Sequence, residues 1–181
     1  PGGNLTKQLS KFFPLPRALF SKYVAQTLLA LRYMHHNCIV YRDLKGENIM
    51  LDEFDNIKLI DFGLAVYDCQ NKLTNLSGTL EYVAPEVAAR TAYGRAADYY
   101  SLGVLVYLLK KRSLPYRHQK AKKSQFTKDL ASGKLAVPPT DDPVVDDLIS
   151  ILTDRDQQKR WENVYVNFEK LKKHPFFEGL D

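Results

Sequence analysis

The chain has 181 residues, 45% of them hydrophobic, which suffices for one globular domain with a buried core. Its formal net charge of +5 suits many acidic partners and selects none of them. No apolar run approaches the roughly 20 residues that cross a bilayer, and there is no signal peptide, so we predict no membrane span. Cys38 and Cys69 have neither metal-ligand spacing nor a paired framework. They predict reduced thiols in an intracellular protein of the cytoplasm, with the nucleus as an alternative.

The first third of the chain divides into a turn-rich start and a long helix. Residues 1–16 contain Gly and Pro and predict turns. Residues 17–36 predict one helix, because Pro16 stands at or before its first turn and apolar residues recur on one broad stripe. His35 and His36 close this helix; a metal site there is a weak alternative, since adjacent residues do not share a helix face.

Short strands and buried helices follow. Residues 38–40 predict a strand, and residues 49–51 and 57–60 predict a hairpin around an acidic turn. Residues 98–110 are almost entirely apolar, which predicts a helix buried on all sides. Two further helices are predicted to close the chain, at residues 142–153 and 162–172.

Basic residues concentrate between residues 117 and 128. A solvated helix face or loop is the favoured interpretation, and a nucleic-acid or membrane patch is the alternative. The run lacks the interleaved aromatic residues that stack on bases, so we predict no nucleic-acid partner.

The most informative stretch is residues 41–48, which read Tyr-Arg-Asp-Leu-Lys-Gly-Glu-Asn. Asp43, Lys45 and Asn48 place an acceptor, a cation and an amide in one loop. Asp61 ends a later apolar strand and is followed by Phe62 and Gly63, which lets the chain turn. These side chains suit the orientation of a hydroxyl, the neutralisation of a phosphate and the binding of a magnesium ion.

Together with Ala-Pro-Glu at residues 84–86, this set resembles a protein kinase. Residues 41–48 match its catalytic loop, and residues 61–86 match its magnesium loop and activation segment; we keep the names catalytic loop and activation segment for these two ranges. The resemblance covers nearly the whole chain but only the large lobe of a kinase. It implies a mainly α (α+β) fold, a helical bundle with short β-hairpins at the cleft.

The resemblance also implies roles for individual residues. Asp43 would be the catalytic base, Lys45 would neutralise the transferring phosphoryl group, and Thr79 would meet both, which favours a Ser/Thr kinase. Asn48 and Asp61 would hold Mg²⁺ against ATP. Leu5 and Met50 would contact adenine. Glu47 and Glu81 would bind the protein substrate.

Other matching residues have structural roles in this family. Glu86 would pair with Arg160, and Asp98 would accept hydrogen bonds from the backbone of the catalytic loop. Tyr41 and Phe62 would stack in the apolar column between the lobes. Tyr41 in place of His, together with Gly-Thr-Leu-Glu-Tyr at residues 78–82, is similar to the AGC group, which includes cyclic-nucleotide-dependent and ribosomal-protein kinases.

The chain departs from the group at several positions. Gly46 replaces the usual Pro, which we expect to loosen the catalytic loop. Asn75 aligns with the activating threonine, while Arg42, which would grip its phosphate, is retained. Thr74 and Ser77 flank Asn75, so activation is either shifted along the segment or independent of phosphorylation.

The positions that would read a substrate arginine also differ from the group. Of the three carboxylates expected there, Glu47 remains, and Asn4 and Leu108 replace the others. Because a bidentate arginine contact needs an acidic partner, we expect only a weak preference for arginine before the phosphorylated residue.

The small lobe has no counterpart in these residues. No Gly-x-Gly-x-x-Gly and no Val-Ala-x-Lys strand precede the catalytic loop. We therefore expect residues 1–181 to be a partial kinase domain whose N-terminal lobe lies upstream in the same full-length chain, and expect this fragment to be inactive alone. A pseudokinase or scaffold is the competing class, and a kinase of small molecules is less favoured.

Overall fold

The computed structural model describes residues 3–116 and 123–180. Residues 117–122 lie outside the described residues, so the interpretation of the basic run stays a prediction there. Lys123 and Lys128, in its second half, are exposed on a helix. In the described part the chain is mainly helical. Its α-helices are α1 Leu5–Lys11, α2 Arg17–His36, α3 Pro85–Ala88, α4 Ala96–Lys111, α5 Lys123–Ser132, α6 Pro143–Leu152, α7 Gln157–Trp161 and α8 Phe168–Leu171.

Four short strands form two antiparallel pairs, β1 Ile39–Val40 with β4 Val66–Tyr67, and β2 Ile49–Leu51 with β3 Ile57–Leu59. In the second pair Ile49 lies opposite Leu59, which confirms the predicted hairpin. The catalytic loop lies between β1 and β2, and its last residues, Gly46–Asn48, form one 3₁₀ turn. The predicted fold class, a helical bundle with short hairpins, is confirmed.

Helix α4 lies at the centre of the core and packs against α2, α6 and α7. Leu102, Val104 and Leu105 have exposed fractions of 1% or less, and each such side chain stabilises the fold by roughly 1.5–3 kcal/mol. A Cβ at Gly103 would lie 2.4 Å from Thr153 Cγ2, so only glycine lets α4 approach the end of α6 this closely. The predicted buried helix is therefore present, two residues longer at its start.

Helix α2 has the predicted bounds, and Tyr23, Leu28 and Leu31 on its apolar stripe are buried. Its two terminal histidines differ sharply: His35 is fully buried and His36 is exposed. No group of three or more His, Cys, Asp or Glu side chains gathers as a metal site within residues 3–116 and 123–180. His35 is instead a core residue.

The prediction of a turn-rich segment at residues 1–16 is wrong for α1. Asn4 caps this helix by accepting a hydrogen bond from Lys7 N at 2.9 Å, and Leu5 and Leu9 are buried. With only seven residues, α1 presents too short an apolar repeat to be recognised, since isolated helices of this length are unstable and owe their stability to packing.

The predicted helix at residues 162–172 is interrupted. A π-turn, Glu162–Val166, follows α7, and Asn167 N donates to Glu162 O at 2.8 Å before α8 begins. The wider turn brings both Val164 and Phe168 into the core, where they are 0% and 7% exposed. This gain in burial depends on tertiary packing. The spacing of apolar residues in the sequence therefore does not predict the interruption of the helix.

The cysteine prediction is also wrong, because Cys38 and Cys69 form a disulfide. They are 31 residues apart in sequence, but β1 and β4 pair with Ile39 opposite Tyr67, and Asp68 N donates to Cys38 O at 2.7 Å. This pairing brings the two thiols side by side. Nothing in their sequence spacing indicates the contact.

Within the described ranges, no helix is both long enough and apolar enough to cross a bilayer.

Candidate active site

The backbone of the catalytic loop is held by hydrogen bonds to a buried carboxylate. Asp98, at the start of α4, accepts hydrogen bonds from Tyr41 N at 2.9 Å and from Arg42 N at 2.8 Å. Its Oδ2 also lies 2.8 Å from His35 Nε2. Asp98 is 1% exposed, and a buried charge is tolerable only with such partners. The predicted contact between Asp98 and the loop backbone is present, and these bonds hold Arg42 at a φ of 70°.

Asp43 is the point at which the polar side chains of the site meet. Lys45 Nζ lies 2.8 Å from Asp43 Oδ2, and Asn48 Nδ2 donates to the same oxygen at 2.9 Å. Thr79 donates to Asp43 Oδ1 through its hydroxyl at 2.8 Å and through its backbone N at 3.1 Å. Both carboxylate oxygens are therefore fixed in direction, and the side chain is almost buried.

The same contacts set the ionisation of Asp43. Burial alone raises the pKa of this carboxyl, but hydrogen bonds from Lys45, Thr79 and Asn48, together with the charge of Lys45, lower it further than burial raises it. The pKa of Asp43 thus lies below its ordinary value. At neutral pH Asp43 is a carboxylate that accepts hydrogen bonds.

Thr79 reaches this group because the chain makes a tight turn before it. Gly78 has a φ of +93°, and a Cβ there would lie 2.3 Å from Arg42 O. The activation segment therefore crosses directly over the catalytic loop at a position where only glycine fits. Lys45 Nζ donates to Thr79 Oγ1 at 3.0 Å, so the predicted meeting of Thr79 with Asp43 and Lys45 is present.

Asp61 lies at the opposite edge of the loop and is exposed. Ile60 N donates to Asn48 O at 3.0 Å, which ties the residue before Asp61 to the end of the catalytic loop. Asp61 has a φ of 59° and accepts a hydrogen bond from Gly63 N at 3.2 Å. Asn48 uses its Nδ2 on Asp43, so Oδ1 is the atom that it can offer to a cation.

Tyr41 connects the two sides of the site. Its hydroxyl donates to Ile60 O, and its ring contacts Phe62 edge-on, with 5.5 Å between the ring centroids. Burial, followed by the charges of Asp43 and Asp61, raises the pKa of Tyr41, so the hydroxyl stays a donor. The predicted contact between Tyr41 and Phe62 is present, as an edge-to-face pair and not a parallel stack.

The two residues predicted to contact adenine differ in exposure. Asn4 and Met50 form a β-bridge, which brings the start of α1 beside β2. Met50 is half-buried and presents surface at this edge. Leu5 has no exposed surface and belongs to the core, which argues against its direct contact with a ligand.

The predicted substrate carboxylates, Glu47 and Glu81, both lie near Tyr82. The pKa of Tyr82 is raised by burial first, and also by the charges of Glu47 and Glu81. Neither carboxylate forms an ion pair within the part of the chain that the structure describes. Asn4 instead caps α1, and Leu108 packs against the core, so the other two positions predicted to read arginine serve the fold.

Glu86 and Arg160 form the predicted ion pair, almost completely buried. Arg160 Nε also donates to Ala96 O at 2.9 Å. Burial lowers the pKa of Arg160, and the charge of Glu86 opposes this shift. The pair joins the end of the activation segment to α7 and the start of α4.

Gly46 has a packing role that the sequence did not predict. It is buried, and a Cβ at this position would lie 2.4 Å from Thr6 Oγ1 on α1. The missing side chain therefore makes room for α1 against the catalytic loop. The expectation that Gly46 loosens the loop stays a prediction; what the structure adds is a packing reason for glycine, since Thr6 fills the space.

Comparison with known families matches residues 1–177 to the protein kinase domain. The chain belongs to the protein kinase family. It is 36% identical over 179 residues to a cAMP-dependent protein kinase catalytic subunit of Schizosaccharomyces pombe, covering 99% of this chain and 35% of the relative. It is 37% identical to cAMP-dependent protein kinase type 3 of Saccharomyces cerevisiae, covering 99% of this chain and 44% of that protein.

A third relative is ribosomal protein S6 kinase alpha-3 of Homo sapiens, 36% identical over 182 residues, which cover 99% of this chain and 24% of that kinase. The chain thus spans less than half the length of these relatives. Cyclic-nucleotide-dependent and ribosomal-protein kinases belong to the AGC group, so the similarity to that group is confirmed.

The sequence prediction missed two residues of this kinase site. His35 supports Asp98 from α2, and Tyr93 donates a hydrogen bond to Asn75 O in the activation segment at 2.9 Å. Both side chains are at most 1% exposed. His35 lies at the end of an apolar helix and Tyr93 lies in a loop, and neither position marks a functional side chain in the sequence. Each acts through a partner that is distant in sequence.

Proposed function

We propose that this chain is the catalytic lobe of a Ser/Thr protein kinase, which transfers the γ-phosphoryl group of ATP to serine or threonine hydroxyls of protein substrates. The observation that carries this proposal is the arrangement around Asp43. An ionised carboxylate with both oxygens fixed stands next to a lysine cation and a threonine hydroxyl. Phosphoryl transfer depends on such positioning and charge neutralisation more than on covalent chemistry.

Asp43 orients the substrate hydroxyl and accepts its proton. Because its pKa is lowered, it is a weak base in the ground state, and orientation comes before proton transfer. The proton moves to Asp43 as the bond from the substrate oxygen to the γ-phosphorus forms, while the bond from that phosphorus to the bridging oxygen breaks and ADP leaves. Lys45 stays charged and offsets the negative charge on the phosphoryl oxygens. Thr79 fixes the carboxylate and the lysine relative to each other.

Asn48 and Asp61 are the residues that would hold Mg²⁺. Their oxygens are the hard ligands that this ion prefers, and Mg²⁺ is commonly bound by one or two carboxylates together with substrate phosphates. The exposure of Asp61 supports this role, since the carboxylate is open to a ligand. When bound, the ion neutralises charge on the nucleotide phosphates. Met50 would contact the adenine ring.

The small lobe is proposed to come from the same full-length chain. Three apolar side chains near Asp61 support a partner surface at this edge, because each is more than a third exposed: Ile60, Phe62 and Leu64. Alone, residues 1–181 would then bind nucleotide weakly and be inactive. We propose the cytoplasm as the site of action, with the nucleus as an alternative, although the disulfide removes the support that reduced thiols gave to this assignment.

The test is a Mg-ATP transfer assay of the full-length protein on a positional-scanning peptide array. We expect phosphate on Ser and Thr peptides, weak selection of arginine, and a loss of at least about 100-fold in kcat for Asp61→Asn. Asn tolerates the positive φ at residue 61, so the change removes charge without backbone strain. Asp141→Asn, an exposed carboxylate near Lys110, is the matched control. Equal transfer by the Asp61→Asn protein and the wild type would contradict the assigned role.

A pseudokinase or scaffold is the second candidate. It is favoured by one observation, that Asn75 and Gly46 depart from the residues usual at these positions in the group. The same array separates the two candidates: a scaffold binds partners and leaves every peptide unmodified. A glycine-rich loop and lysine upstream in the full-length chain would favour the enzyme.

A further inference from the structure

The activation segment lies along the loop that precedes α4. Leu73 and Tyr93 form two backbone hydrogen bonds, with N to O distances of 3.1 and 2.8 Å. Two residues earlier, Asn71 Oδ1 accepts from Arg95 N at 3.4 Å. A Cβ at Gly94 would lie 2.0 Å from Asn71 Oδ1, so the approach of the segment requires glycine there. This part of the segment is therefore fitted to a defined surface.

Asn75 is the point where this surface meets the catalytic loop. Arg42 Nη1 donates to Asn75 Oδ1 at 3.2 Å, and Tyr93 Oη donates to Asn75 O at 2.9 Å. Arg42 also donates through Nε to Leu64 O at 2.6 Å. Arg42 adjoins Asp43 in sequence, so Asn75 links the position of the segment to that of the carboxylate.

The hydroxyl residues beside Asn75 do not take part in this contact. Thr74 is exposed, Ser77 is half-buried, and neither bonds to Arg42 within the described residues. Among residues 74–77, only the side-chain amide of Asn75 accepts a hydrogen bond from the Arg42 guanidinium in the described residues. Protein kinases do not phosphorylate an asparagine amide, so this contact needs no modification of residue 75.

We infer that Asn75 is a positioning residue that holds the activation segment on Arg42 and Tyr93 without phosphorylation. The inference rests on the proposed kinase function and adds a form of regulation to it: the site is assembled as soon as the chain folds. A neutral amide gives one hydrogen bond to the guanidinium. A phosphate would give stronger, charge-assisted bonds that weaken with salt. The Asn75 contact therefore forms without modification and depends less on salt than a phosphate contact would.

The experiment uses the full-length protein, treated with a phosphatase until mass spectrometry finds no phosphate. We expect kcat to stay within about twofold of the untreated protein, and Thr74→Ala and Ser77→Ala to behave in the same way. Asn75→Ala should lower kcat at least about tenfold and speed amide hydrogen exchange at residues 71–77. Asn75→Asp keeps the acceptor and should restore both readouts. Gln70→Ala, an exposed residue of the same segment, is the matched control.

The outcomes separate this inference from the proposed function. Loss of activity on phosphatase treatment, or unchanged hydrogen exchange in Asn75→Ala, would overturn the role of Asn75 while leaving transfer that depends on Asp61 intact. Absence of any transfer that depends on Asp61 would overturn the proposed function, and hydrogen exchange would still test the contacts of Asn75 with Arg42 and Tyr93. Tyr93→Phe, which removes the second donor to Asn75, should give a smaller increase in exchange at the same residues.

Discussion

The two aspartates on opposite sides of the catalytic loop, Asp98 and Asp61, are held in contrasting ways. Asp98 is buried and bonded to two backbone nitrogens and to His35. Asp61 is exposed and accepts a hydrogen bond from Gly63 in its own turn. The side of the site that is proposed to position the reacting hydroxyl is therefore built by this chain's core. The side that is proposed to hold the metal is left open to solvent.

The largest test of this contrast is removal of each carboxylate. Asp98→Ala should lower the free energy of unfolding by about 3–5 kcal/mol, because it leaves two backbone donors and His35 without their buried acceptor. Asp61→Asn should change it by no more than about 0.5 kcal/mol. Urea denaturation of the full-length protein measures both. Similar losses of unfolding free energy for the two variants would mean that Asp61 contributes as much to stability as Asp98, which would contradict this contrast.

A smaller effect is expected from the disulfide, which joins the strand before the catalytic loop to the strand after Asp61. Reduction, or Cys38→Ser with Cys69→Ser, should cost about 2–4 kcal/mol, because the unfolded chain regains the freedom of a 31-residue loop. Thermal unfolding with and without a reductant measures this loss. The double variant is the control, and its Tm should not respond to the reductant. A wild-type Tm that also ignores the reductant would show that the bond does not form.

The smallest expected effect concerns the contact of α1 with the loop. Gly46→Ala should destabilise the protein by about 1–3 kcal/mol, since its Cβ would overlap Thr6 Oγ1. That hydroxyl is buried and has no hydrogen-bond partner in the described residues. Thr6→Ala alone should therefore be nearly neutral, and combined with Gly46→Ala it should recover most of the loss. Additive effects in this double-mutant cycle would argue against direct contact.

Sequence patterns predicted what depends on local repeats and on motif spacing. The bounds of α2 follow from Pro16 and a periodic apolar stripe, and the buried character of α4 follows from its almost entirely apolar composition. The ion pair of Glu86 with Arg160 followed from the family motif, although 74 residues separate the two. The close approach of Asp43, Lys45 and Thr79 followed in the same way. Their chemical roles remain predictions.

What the sequence could not give are contacts set by packing between distant segments. Cys38 and Cys69 meet only because two-residue strands pair, and such strands carry almost no periodic signal. The packing reason for Gly46 shows only once α1 is placed against it, and α1 itself was too short to recognise. Tyr93 contacts Asn75 from a loop, where no pattern marks a side chain as a donor. In each case the deciding partner lies elsewhere in the chain.

The disulfide also determines what happens when the backbone is cut. Asp43, Lys45, Asn48 and Asp61 all lie within the covalent ring that Cys38 and Cys69 close. The turn at residues 52–55 is the exposed tip of that ring, with Phe54 72% exposed. A protease that cuts there opens the ring but leaves both pieces joined through sulfur. The nicked protein would migrate as one species on a non-reducing gel, and reduction would separate Asp43 from Asp61 into different fragments.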